Sequence, residues 1–134
     1  MTEILFTVTG TPAPQGSKRH VGRGRMIESS AALAPWREHI AWATRKATRQ
    51  HDPADGPVSV ALTFVMPRPQ RAKPGTPATK RPDLDKLVRA VLDALVMGAA
   101  MRDDSQVTRI IATKRLAEPG EQPRVDILLN TESD

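Results

Sequence analysis

The chain opens with a two-residue rhythm. Ile4, Phe6 and Val8 alternate with Leu5, Thr7 and Thr9, which predicts a half-buried strand over Glu3–Thr9. The rhythm then lengthens to three and four. Leu33, Trp36, Ile40, Ala43 and Ala47 trace the buried stripe of a helix from about Ala32 to Gln50, with Ser29 and Ser30 as candidate caps and Pro35 tolerable in the first turn. Val58, Val60, Leu62, Phe64 and Met66 restore the alternation and predict a second strand, Val58–Met66. Leu84, Leu87, Val88, Val91, Leu92 and Leu95 fall on one face of a second helix, Leu84–Met97, which Gly98 is placed to end. Two more strands follow, Gln106–Arg115 and Arg124–Asn130, the latter with Val125, Ile127 and Leu129 inward. Thr131–Asp134 is expected to fray.

The order β-α-β-α-β-β predicts an α+β fold in which one mixed four-stranded sheet carries two packed helices. At 134 residues without an internal repeat, residues 1–134 read as a single domain. With two Trp, two Phe and no Tyr, aliphatic side chains must carry its core; Trp36 belongs to the buried stripe, whereas Trp42 lies off it and is a candidate for a subunit interface. The absence of cysteine excludes disulfides, thiol catalysis and Cys-based zinc sites, and His20, His39 and His51 share no ligand spacing. No apolar run approaches the ~18 residues of a membrane span, and the start lacks the charged segment of a secretory leader. The expectation is a cytoplasmic protein with no membrane partner.

Charge changes the picture through its placement. Residues 10–25 form an acid-free, glycine- and proline-rich loop carrying Lys18, Arg19, Arg23 and Arg25, and the proline-rich loop 67–82 carries Arg68, Arg71, Lys73, Lys80 and Arg81. These nine cations divide the formal +5 into +9 in the two loops and −4 elsewhere, so positive charge is concentrated where it can follow a phosphate backbone. Gly16-Ser17-Lys18 lacks the spacing of a nucleotide-binding loop, and no nucleotide cofactor is expected.

Against that basic background four carboxylates stand out. Asp83 and Asp85 open the second helix, and Asp103 and Asp104 lie beyond its end. One explanation is structural: Asp83 as N-cap and Asp85 facing the positive end of the helix dipole, each contributing ~0.5–1 kcal/mol. The other rests on reach. A helix of ~21 Å followed by an extended return from Gly98 brings Asp104 back beside Asp83 and Asp85. Three carboxylates held together favour a divalent cation, and oxygen-only donors favour a hard one, Mg2+ or Mn2+. Beside two basic loops, the matching substrate is a phosphodiester.

Asp83-Leu84-Asp85 opening a helix that continues through Leu95, then Asp103-Asp104-Ser105-Gln106-Val107 leading into a strand with Lys114, resembles the RusA family of Holliday junction resolvases, which phages and prophages encode. The resemblance is strongest over residues 81–115 and extends over nearly the whole length. It implies a homodimeric, Mg2+-dependent endonuclease that makes paired symmetric nicks in four-way junctions and related branched DNA, in recombination, repair or phage DNA processing. It places the catalytic and metal-binding aspartates on Asp83, Asp85 and Asp104. Arg89 stands where the family's best-known member has a functional lysine; arginine keeps the charge but cannot trade a proton near neutral pH. Lys86 and Lys114 join the nine loop cations as candidate DNA contacts. The alternative is a branched-DNA binding module that does not cut, its aspartates only capping the helix.

Overall fold

In the computed structural model, the described residues are 2–16, 31–132 and the backbone of 18–21 and 25–28. Strand β1 (Thr2–Thr9) is followed by a hairpin of two short strands, β2 (Lys18–Val21) and β3 (Arg25–Glu28). Helix α1 (Leu33–Ala47), strand β4 (Val58–Met66), helix α2 (Leu84–Met97), a single 3-10 turn (Asp104–Gln106), and strands β5 (Val107–Leu116) and β6 (Arg124–Thr131) complete the chain. The main sheet is mixed, in the order β1-β6-β4-β5, with β6 antiparallel to both neighbours and β5 parallel to β4. The parallel pair follows from its connection: α2 carries the chain back to the start of β4, so β5 must run in the same direction.

The α+β architecture and the β-α-β-α-β-β order of its main elements are as the pattern predicts. Two details differ. The basic segment expected as an uninterrupted loop contains the β2–β3 hairpin, whose register sets Lys18 opposite Glu28 and Val21 opposite Arg25. Thr131, expected to fray, pairs with both Thr2 and Val58 at the end of β6. Ser29, Ser30 and residues 133–134 lie outside the described residues.

Both helices cover one face of the sheet. Val8 from β1, the Val58–Met66 alternation of β4, and Val125, Ile127 and Leu129 of β6 point into one core with Leu33, Trp36 and Ile40 of α1 and most of α2. Ala41, Thr44 and Thr48 are also buried on α1; the hydroxyls of Thr44 and Thr48 donate to the carbonyls one turn back, so neither enters the core unpaired. Gly98 marks the closest approach of the helices, since a Cβ there would stand 2.6 Å from that of Thr44 and 2.8 Å from the Ala41 carbonyl oxygen. The turn after α2 uses Ala99, at φ 63°, and not the glycine. Arg37 spans the helices, 3.7 Å from the Asp93 carboxylate and within hydrogen-bond reach of the Gln15 side chain.

Candidate active site and nucleic-acid interface

Loop 67–82 delivers the chain to α2, and it is folded back on itself rather than simply extended. The Ala72, Thr76 and Thr79 amides donate to the carbonyls of Pro69, Lys73 and Pro77, closing successive turns. Arg68 braces this loop from within, donating to the carbonyls of Ala72 and Ala117 at 2.9 and 3.3 Å. Lys114, near the end of β5, does the same from below: its ammonium donates to the carbonyls of Lys80 and Pro82 at 2.9 and 2.8 Å. Both cations, expected to meet phosphate, therefore already hold the backbone that leads into Asp83.

Asp83 occupies the N-cap position of α2 with extended backbone, yet its side chain makes no capping hydrogen bond. The carboxylate is about half exposed and lies 3.7 Å from the Lys86 ammonium. Asp85 and Arg89 are exposed one turn apart on the same helical face. The acidic pair thus meets solvent beside two cations, Lys86 and Arg89, that can bind phosphate.

A cleft of about 1260 Å³ opens next to Asp83. Pro12 and Pro14 form one wall and Pro69 and Pro77 another, while Arg71, Lys80, Arg81 and Lys86 contribute its charge. The first wall is fixed to α2 because the Gln15 amide donates to the Lys86 carbonyl at 2.9 Å. Its role was hidden in the sequence, where only the proline richness of residues 11–15 marked it. Arg71, Lys73, Lys80 and Arg81 are exposed, as a backbone contact needs. Of the first basic segment, Lys18, Arg19 and Arg25 lie in the hairpin backbone, and Arg23 lies outside the described residues.

Asp104 is elsewhere. The expected extended return from Gly98 does not occur, because Ala54 donates to the Ala100 carbonyl and holds the chain beside the approach to β4. Gln106 locks it there: its amide nitrogen donates to the carbonyls of Ala54 and Gly56, and its oxygen accepts from the Arg102 and Asp103 amides. The return is made by β5, after Asp104 and not before it. Val107 pairs with Val58 at the start of β4, and Lys114, seven residues on, pairs with Phe64 and touches Pro82. At ~3.3 Å per residue that strand separates Asp104 from Asp83 by roughly 20 Å. Among the described residues no three His, Asp or Glu side chains are grouped closely enough to hold an ion, so convergence within one chain is corrected.

The two aspartates beyond α2 have different tasks. Asp103 caps the 3-10 turn by accepting from the Ser105 amide at 2.9 Å, and its hydrogen bonding to Ser105 holds its carboxyl below the usual range. Asp104 is exposed, and no hydrogen bond or ion pair engages its carboxylate among the described residues. Asp83, Asp85 and Asp104 are thus spared from structural work that Asp103 performs.

A search of curated sequences finds no match. Residues 9–130 match the family model described as "Endodeoxyribonuclease RusA". That match takes in β1 from its last residue, both helices, the basic loops, every aspartate discussed above and nearly all of β6. The chain belongs to the RusA family of endodeoxyribonucleases, Holliday junction-resolving enzymes that bind branched DNA.

Proposed function

We propose that this endonuclease is Mg2+-dependent and works as a homodimer, each metal site being assembled from Asp83 and Asp85 of one subunit and Asp104 of the partner subunit. The observation that carries this reading is the availability of these carboxylates: Asp83 sits where a cap belongs but makes no cap bond, and Asp104 is exposed while its neighbour does the capping. A two-fold partner is the simplest way to unite groups that one chain keeps at opposite ends of β5. The donor set fits the ion, since three exposed carboxylates offer only oxygen. The same availability weighs against a module whose aspartates merely cap a helix.

Bound there, Mg2+ would supply charge neutralisation at the phosphate and ease deprotonation of the attacking water. The chain's own groups account for the rest. Lys86 and Arg89 lie one helical turn or less from the acidic pair and neutralise charge that builds on the phosphate oxygens. Arg71, Lys80 and Arg81 hold the strand along the cleft. The water oxygen bonds to phosphorus as the bond to the 3′ oxygen breaks; the water proton passes to solvent through a carboxylate, and the 3′ oxygen is protonated, giving 5′-phosphate and 3′-hydroxyl ends. Arg89 acts as a phosphate clamp, having no proton to give near neutral pH.

The test is subunit complementation on a synthetic four-way junction with and without Mg2+. Asp83→Asn and Asp104→Asn homodimers should each bind the junction and lose nicking by at least ~100-fold. Unfolded together and refolded as a mixture, they should regain roughly a quarter of the wild-type sites, because each mixed dimer contains one intact set, and the products should be single nicks. No recovery in a sample shown to contain mixed dimers would refute the shared site.

A further inference from the structure

The cleft beside Asp83 is lined by the wrong chemistry for phosphate alone. Besides its proline walls it includes Ala13 and Met66, 3 % and 6 % exposed, and the half-buried Leu116. Backbone donors along it are already engaged: the Ala72 and Thr79 amides donate to the Pro69 and Pro77 carbonyls, and the Gln15 amide to that of Lys86. Charge enters through Arg71, Lys80, Arg81 and Lys86. We propose that the cleft receives one unpaired nucleobase of the branched substrate, turned out of its stack, while the phosphates on either side of it stay on those cations.

This site deepens the DNA path along the cleft and rests on it. A phosphodiester held against proline rings and buried alkyl groups would lose its hydration without gaining hydrogen bonds. A base has flat faces suited to such surfaces, and its two neighbouring phosphates suit the cations. At about 1260 Å³ the cleft exceeds the ~300–1,000 Å³ of ordinary ligand pockets, which leaves room for a nucleoside together with its flanking phosphates. Turning a base outward is easiest where it is already unpaired, so a branch point supplies the occupant more readily than an arm. Asp83 and Lys86 belong to the same lining, which puts the captured nucleotide beside the phosphate that is cut. Branched structure is thereby read where the chemistry takes place, since linear duplex fills the cleft only by breaking a pair. Among the described residues no aromatic side chain lines the cleft, so a fluorescent base seated there escapes quenching by stacking.

The test uses the Asp104→Asn protein, so that the DNA stays whole, and a four-way junction carrying 2-aminopurine at the crossover. Binding should raise its emission severalfold, whereas 2-aminopurine well inside an arm should stay quenched. The chain has no cysteine, so in the same background Thr79→Cys at the cleft and Leu5→Cys on the sheet face away from the helices each place a single thiol. A crossover base bearing an activated disulfide on a short tether should couple to the first and not to the second. With Asp104 intact, Ala78→Trp, which fills the cleft from a half-buried loop position, should slow nicking by ~10-fold or more while phosphate contacts keep junction affinity nearly unchanged. Emission that stays quenched in a complex shown by gel shift to have formed, or a rise without coupling to position 79, would overturn the base site. Neither result bears on the shared metal site, which stands or falls with subunit complementation, because both readouts use DNA that is never cut.

Discussion

Glu121 shows how much one partly buried side chain can organise. Its carboxylate accepts both terminal guanidinium nitrogens of Arg115 at 2.7 and 2.8 Å, one of Arg124 at 3.0 Å and the Glu118 amide at 2.8 Å, pinning the connection between β5 and β6. Arg115 first, then the Glu118 amide, hold its carboxyl far below the ordinary value of 4.5. A group whose folded value is depressed adds stability above its unfolded value, and that contribution disappears as pH falls through the folded one. Glu121→Gln should therefore lower Tm at pH 7, and the gap to the parent should narrow steadily below pH ~4.5 in thermal melts. Nothing in Glu118-Pro-Gly-Glu-Gln-Pro123 announces this cluster, since both arginines arrive from strands. Arg68 and Lys114 carry a related lesson: a cation in a basic sequence suggests phosphate, and only coordinates reveal that each also donates to a backbone carbonyl.

At the level of elements, the sharpest constraint is where α1 crosses α2. Gly98→Ala must displace Thr44 or the Ala41 carbonyl, and over-packing of this kind should cost about 1–3 kcal/mol, read as a fall in Tm of roughly 4–12 °C. The elements themselves were legible wherever one face is buried and the other wet: β4 and α2 have the predicted limits, and β1, β5 and β6 differ by a residue. The β2–β3 hairpin was missed because Lys18–Val21 and Arg25–Glu28 are short and largely polar. Gly22-Arg23-Gly24 between two four-residue runs was the signal available. The four aspartates can be picked out of the sequence, but where they stand in the fold cannot. Distance along the chain permits Asp104 to return beside Asp83, and it takes the Ala54–Ala100 and Gln106 hydrogen bonds to show that it stays behind.

Taken as a whole, the molecule sets its charge apart from its core. Arg71, Lys80 and Arg81 stand on a loop whose shape is maintained by Arg68, Lys114 and its own turns, so their removal should leave the fold intact. Arg71→Ala with Arg81→Ala should weaken junction binding and reduce the slope of log affinity against log salt by up to ~2. An unchanged slope in a titration series from low to moderate salt would remove the cleft from the DNA path. No helix among the described residues is long and apolar enough to cross a membrane. The two tryptophans occupy opposite environments: Trp36 is 5 % exposed against Gly10, and Trp42 is 69 % exposed beneath the Arg45 guanidinium. With no tyrosine to compete, ultraviolet emission from this protein should have a blue-shifted interior source and a red-shifted surface one. Trp42→Phe would leave a fluorophore that monitors unfolding alone, and Trp36→Phe one that responds to whatever settles on the outside of α1.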